Sequence, residues 1–316
     1  MKVTSRISSV GIATCAVFVA SAVGCKPTPP ANPSFDDAAQ FAFREFENED
    51  PAILAYAVRQ FEEEIYLGVD VDAASTADRS LTPADLSEED LDGIAHPDRD
   101  VTLAVPVAVA AGSPHTMAEH QLLPLMVDQR PIEPTSPDHY DRAFLDETEL
   151  CWPEKSCPFL RTVNELTKTN PVLTVEYTLY KDFRWVDLSL PDPADMSDDE
   201  GSDDEVESRW AFVARSWTTE RAEEQGGGSS IEQSYSFEVW IPRDSRGFVR
   251  DGSSESTVDE QWAADSTFGG TLRLMALWAE TDIGAEIAEE VVVNLTRGGI
   301  DDIFQAQDLY IDEHPD

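Results

Sequence analysis

Lysine is nearly missing from this chain. Only Lys2, Lys26, Lys155, Lys168 and Lys181 occur in 316 residues, against 63 aspartates and glutamates, and the formal net charge is −41. A field of that sign repels phosphate backbones and anionic headgroups, so nucleic-acid binding, or docking on a lipid surface through basic patches, is strongly disfavoured. Recognisable catalytic motifs are missing as well. There is no Gly-x-Ser-x-Gly, no phosphate loop and no dinucleotide fingerprint, which weakens several common enzyme classes. Cysteine is scarce, with four residues, and histidine numbers five. The apolar run Val101–Ala110 is too short to cross a bilayer.

What is present begins at the N-terminus. Lys2 and Arg6 precede an apolar stretch from Ile7 to about Val23, and the small residues Ala22-Val23-Gly24 lead into Cys25. A basic start, a short apolar run and small residues form an export signal. Ala22-Val23-Gly24-Cys25 resembles the lipobox of bacterial lipoproteins, which implies cleavage after residue 24, acylation of Cys25 and a stable lipid anchor. Lys26 after the cysteine leans towards the outer membrane of a Gram-negative bacterium. Residues 25–33, with Pro27, Pro29, Pro30 and Pro33, read as an extended, lipidated tether.

Cleavage would remove Lys2 and Arg6 but no carboxylate, so the mature chain would be two units more negative still. Acid excess with scarce lysine resembles proteins of salt-adapted organisms; the alternative is that acidity serves solubility alone. Once Cys15 leaves with the signal and Cys25 takes the lipid, Cys151 and Cys157 are the remaining thiols in an oxidising compartment, and they are expected to pair.

The rest predicts an α+β fold. Phe35, Ala38, Ala39, Ala42, Phe43 and Phe46 recur at helical spacing, and Ile53, Leu54, Ala57, Val58, Phe61 and Ile65 do so again after Asp50-Pro51, giving a helical hairpin within a mainly helical region 34–100. A short helix is expected around 81–91 and a buried strand over 101–110, with Pro106 at an edge or bulge. Alternation over 171–190, and aromatic and β-branched runs at 209–220, 231–241 and 271–281, predict an antiparallel meander of about five or six strands. Tyr235, Phe237, Val239 and Ile241 oppose Ser234, Ser236 and Glu238. The acidic segment 191–208 reads as a disordered loop. Gly284–Asn294, then Gly298-Gly299, then Ile300–Tyr310 read as helix, glycine break, helix. Region 101–316 would pack with 34–100 as one globular unit. A curved sheet gripping a C-terminal helix looks like the helix-grip, START-like layout that holds apolar ligands, a likeness of element order alone over residues 101–316.

No catalytic, cofactor-binding or metal residue can be named. On a helix His115 and His120 would point roughly 140° apart, so the five histidines read as surface or loop residues. The run Asp195–Glu205 lacks the alternating ligand order of a calcium loop. The tryptophans Trp185, Trp210, Trp217, Trp240 and Trp278 read as core, with a cavity lining as the alternative. The expected function is a non-catalytic binding or assembly component of the cell envelope, with an unknown envelope protein or an apolar ligand as partner. The alternatives are a START-like carrier of an apolar small molecule and an unrecognised envelope enzyme.

Overall fold

The computed structural model describes residues 35–170, 173–192, 209–224, 227–243, 270–283 and 288–315. The export segment, Cys25, the tether and residues 193–208 of the acidic loop lie outside them.

Helix α1 (Phe35–Arg44) carries Asp36 and Asp37 in its first turn and Arg44 in its last, charges that complement the helix dipole at each end. A tight 3-10 turn, Glu45–Glu47, buries Phe46 and reverses the chain. Asp50 then caps α2 (Pro51–Gly68) by accepting the Ala52 N–H at 3.1 Å, and Pro51 fills the first helical position, where its missing N–H costs nothing. The predicted stripes are buried: Ala38, Ala39, Ala42 and Phe43 on α1, and Ile53, Leu54, Val58, Phe61 and Ile65 on α2. In place of the short helix expected around 81–91 there is a single 3-10 turn, Glu88–Leu91, capped by Ser87.

The strands are β1 (Ser80–Leu81), β2 (Val105–Ser113), β3 (Tyr140–Leu145), β4 (Leu160–Asn170), β5 (Leu173–Asp187), β6 (Trp210–Trp217), β7 (Ala222–Glu223), β8 (Ser230–Pro242) and β9 (Thr271–Asp282). The one-turn helix α3 (Met117–His120) follows β2, and the long helix α4 (Glu289–Glu313) ends the chain. All nine described strands form one antiparallel sheet in the order β1-β2-β9-β8-β6-β5-β4-β3, with β7 paired to β8. From β5 to β9 the chain forms the meander that the alternating segments predict; β3 and β4, which they do not predict, extend it on one side, and β2 joins it beside β9. Pro106 sits where β2 has β9 as its one neighbour, because β1 pairs only with Ala108 and Val109.

The sheet is covered on both faces. On one face the α1–α2 hairpin packs on Tyr235, Phe237, Val239, Ile241, Leu274 and Trp278. Phe43 meets Trp278 edge to face at 5.6 Å, and Phe61 stacks on Phe237 at 5.8 Å. Burying each such ring contributes roughly 1.5–3 kcal/mol. On the other face the C-terminal half of α4 seats Ile300, Ile303 and Phe304 on Val107, Val109, Ala111 and Met275. Arg273 clamps that half, donating to Asp308 at 2.7 Å and to the Phe304 carbonyl at 3.0 Å. Ser113 donates to the same Asp308 at 2.7 Å, and Arg79 pairs with Asp301 at 2.5 Å.

The glycine break does not occur: Gly298 and Gly299 lie inside a continuous α4. Two interior glycines cost about 1 kcal/mol each relative to alanine, less than the packing and ion pairs that hold the helix from Ile300 onward.

Candidate functional site

The N-terminal half of α4 stands over the meander without filling the space beneath it. A cavity of about 540 Å³ opens there, bounded by α4 from Val292 to Ile303, the segment Glu133–Ser136, and side chains of β3, β4, β5, β6, β8 and β9. Strand register explains how it is lined. Pairing sets Thr162, Lys181, Ser216, Ser236 and Leu277 side by side across five strands, with Leu160, Phe183, Ala214, Glu238 and Met275 in the next row. On the far side Tyr140, Leu166 and Tyr177 form a third row. A bulge between Ile231 and Gln233 shifts the alternation of β8, so Ile231 also turns to the cavity.

This lining mixes apolar side chains with the charged Glu133, Lys168, Lys181, Glu238 and Asp302. Ile231, Met275, Leu277, Leu295, Ile300 and Ile303 supply the apolar wall. The Lys181 ammonium lies 2.7 and 2.8 Å from the two oxygens of Glu238. Ser236 donates to Glu238 at 3.1 Å and shares a 2.7 Å hydrogen bond with Ser216. Behind them Arg142 is buried, donating to Asn164 at 2.8 Å and to the Pro124 carbonyl at 2.7 Å.

Besides the exposed Asp302, two half-buried ionisable groups face the cavity without a bonded partner among the described residues. Neither the Glu133 carboxylate nor the Lys168 ammonium has a hydrogen bond or ion pair to another side chain among the described residues. Burial pushes Glu133 above the usual carboxylate range, with Lys181, Lys168 and Arg142 opposing the shift and Glu238 adding to it. Burial likewise lowers Lys168, and Glu133 opposes that. The Tyr140 and Tyr177 hydroxyls are pushed up by burial first and by Glu133 next, so both phenols stay protonated hydrogen-bond donors at neutral pH.

Cys151 and Cys157 form the expected disulfide, with Cα atoms 5.4 Å apart. It does not line the cavity. Its short loop carries Trp152, fully buried and stacked on Trp185 at 4.9 Å, with Phe212 edge to face at 5.8 Å. The Trp152 indole donates to the Gln121 carbonyl at 3.1 Å, and Trp185 donates to the Trp152 carbonyl at 2.9 Å. Together with Trp240 this is a solid aromatic block over one end of the sheet. None of the tryptophans lines the cavity, so the core reading of these residues holds.

The reading of the histidines as surface or loop residues is corrected for His120, which is buried on α3, while His115 lies in the loop before it. Both are buried, and their rings stand 6.2 Å apart. The helical angle does not apply, because α3 is one turn long and His115 precedes it. His120 Nε2 lies 3.0 Å from Ser113 Oγ, which ties it to the Asp308–Arg273 clamp. Burial holds His120 well below the ordinary imidazole range, and the Arg273 charge adds to this.

Cys25, the anchoring residue expected from the sequence, is outside the described residues. The cavity residues were missed in the sequence because Lys181, Ser236 and Glu238 occupy what reads as the solvent face of amphipathic strands. One signal was available. In a chain with five lysines, two of them, Lys168 and Lys181, line this one cavity.

No family model matches this chain. No curated protein matches it either. A solved structure described as "Crystal structure of Ara h 8.0201" is similar over 66% of this chain and 98% of that one, at 11% identity and a TM-score of 0.28, values too low to argue from.

Proposed function

We propose that this protein is a carrier that holds an apolar small molecule between α4 and the sheet, working as a lipid-anchored component of the cell envelope. The cavity of about 540 Å³ carries the reading. Protein interiors are close-packed, and a void this size is many times the roughly 30 Å³ share of one water molecule. It falls within the range of small-molecule sites, roughly 300–1,000 Å³. Its lining has the composition of such sites, an apolar wall with a few convergent polar groups. Leu295 both lines the cavity and is 45% exposed, which marks a mouth beside α4. The lipobox-like segment ending at Cys25 and the pairing of Cys151 with Cys157 support an exported, anchored setting.

Gly298 provides the test. It lines the cavity, and a Cβ built on it meets nothing within 4 Å. Native mass spectrometry and solvent extraction of the full-length protein are expected to yield a bound small molecule from wild type and from Gly298→Ala. Gly298→Phe is expected to yield it at much lower occupancy while unfolding at the same temperature as wild type. Equal recovery from Gly298→Phe, or none from any of the three, refutes the carrier. Mass spectrometry of the membrane form tests the anchor: an unmodified Cys25 refutes it.

A further inference from the structure

A serine, a histidine, an arginine and a carboxylate meet outside the cavity. Ser113 ends β2, His120 ends α3, Arg273 lies on β9 and Asp308 on α4. Proton counting fixes the direction of each bond. Asp308 pairs with Arg273 at 2.7 Å, so it is an acceptor. The Ser113 hydroxyl has one proton and donates it to Asp308 at 2.7 Å. Its lone pairs accept from the His115 backbone N–H at 3.2 Å and from His120 Nε2 at 3.0 Å. His120 is therefore a neutral imidazole with its proton on Nε2, and Nδ1 is bare and buried with no hydrogen-bond partner. Because the serine gives its proton to the carboxylate and not to the imidazole, the group is no nucleophile with its base. It is a fastening.

A second proton on His120 has no place in this arrangement. It would sit on Nδ1, where no acceptor waits, in a fully buried ring near the Arg273 guanidinium. The ring accepts that proton only once the network opens. Strands β2 and β9 are locked in the sheet ladder. Helix α3 is tied to the aromatic block by Met117 and by the Gln121 carbonyl, which accepts from the Trp152 indole at 3.1 Å. Helix α4 is joined through side chains: Arg273 and Ser113 hold Asp308, Arg79 and Thr76 hold Asp301, and Ile311 packs on Leu123 and Ile132. It can leave without breaking any strand pairing.

We propose that α4 is an acid-sensitive latch: protonation of His120 releases its C-terminal half from the sheet and lets cargo out of the cavity that the helix roofs. The inference rests on the carrier reading and adds its regulation. Arg273 on β9, and His115 before α3, both oppose a charge on His120. Asp308 is satisfied by Arg273 and Ser113, and Glu238 on β8 by Lys181. Asp312 and Glu119 approach His115 at 3.6 and 3.9 Å but are 67% and 40% exposed, so a charge on His115 would hold α4 only weakly. Closed, the His120 ring stays neutral well below its ordinary range; open, it titrates near 6.5. Opening is therefore favoured about ten-fold per pH unit below that value, roughly 25-fold between pH 7 and 5.

Hydrogen exchange of the full-length protein, corrected for intrinsic rates, reads the opening without any cargo. Protection of residues 300–313 is expected to fall roughly 25-fold from pH 7 to 5 while β8 keeps its protection. In His120→Gln, whose amide can still donate to Ser113, protection of α4 is expected to be the same at both pH values; His115→Gln is expected to behave as wild type. Nitrogen NMR of wild type, which needs no variant to fold, is expected to place the His120 proton on Nε2 at pH 7. Diphenylhexatriene, a neutral apolar probe read by energy transfer from the tryptophans, is expected to leave wild type faster at pH 5 than at pH 7, and His120→Gln equally at both.

A proton on Nδ1, unchanged protection of α4, or an equal fall in His120→Gln overturns the latch and leaves the carrier standing. So does opening of α4 with no faster loss of the probe. No binding of the probe at pH 7 overturns the carrier and, with it, the release.

Discussion

Replacing Lys181 by methionine keeps the length and most of the apolar stem of the side chain while deleting the charge that neutralises Glu238. The two side chains are 8% and 4% exposed, and Glu238 would retain only the Ser236 hydroxyl, 3.1 Å away, as a hydrogen-bond donor. Stranding one member of a buried pair costs about 3–5 kcal/mol, against roughly 0–1 kcal/mol for an exposed pair. The cavity beside Glu238 admits some solvation, so the lower end, about 3 kcal/mol, is expected. Removing both charges with Lys181→Met and Glu238→Leu strands nothing, and the double variant is expected to unfold within about 1 kcal/mol of wild type. The measurement is urea denaturation at pH 7, comparing midpoints at unchanged slope for wild type, both single variants and the double variant. Repeating it in 1 M salt separates a screened surface pair from a desolvated one. The reasoning fails if Lys181→Met costs under about 1 kcal/mol, or if the double variant is as unstable as Lys181→Met alone.

Three further outcomes are expected. Asp182 lies on the hairpin side of the sheet; burial raises it to about 6, against the opposing pull of Arg161 and Arg215. The folded state therefore holds an extra proton between about pH 4 and 6, and stability falls as pH rises through that window, by on the order of 2–3 kcal/mol in full. Asp182→Asn should gain that amount over wild type at pH 8 and match it near pH 4 in denaturation curves; an equal gain at both pH values refutes the assignment. His120 behaves in the opposite sense. Its folded value is depressed, so its contribution is complete above about pH 6.5 and is lost as pH falls below that, at about 1.4 kcal/mol per unit. His120→Gln should flatten this part of the profile, and an unchanged slope between pH 6.5 and 5 counts against it. Replacing Cys151 and Cys157 by serine opens a loop with a sequence separation of 6 and is expected to cost about 2 kcal/mol on the chain-entropy scale. Trp152 should become accessible to iodide quenching of its fluorescence; a melting temperature within one degree of wild type would contradict that role.

How much of this was legible in the sequence depended on whether each element's environment is simple. Helices α1 and α2 bury one apolar stripe and expose the rest, and their stripes mark them. Strands β5, β6, β8 and β9 fall at 173–187, 210–217, 230–242 and 271–282, where aromatic and β-branched runs predict them; β8 and β9 turn Tyr235, Phe237, Val239 and Ile241, and Leu272, Leu274, Ala276 and Trp278, to the hairpin. Strands β3 and β4 were not foreseen. On β4 the cavity side reads Leu160, Thr162, Asn164, Leu166 and Lys168, and its other side is partly open at Arg161, Val163, Glu165 and Thr167, so neither face shows a clean apolar period. The exposed Pro134 and Pro137 also obscured the segment Glu133–Ser136, which closes the cavity.

The sequence by itself determined the element types of the amphipathic segments and the pairing of Cys151 with Cys157. These follow from local periodicity and from the count of thiols, neither of which needs a partner in space. Only the tertiary structure decided that Ser236, Glu238 and Lys181 look inward. Alternation along a strand reports that its two faces differ, not what covers the second one. Helix α4 arrives from the far end of the chain and roofs that face, and this turns a polar edge of the pattern into the charged lining of a cavity.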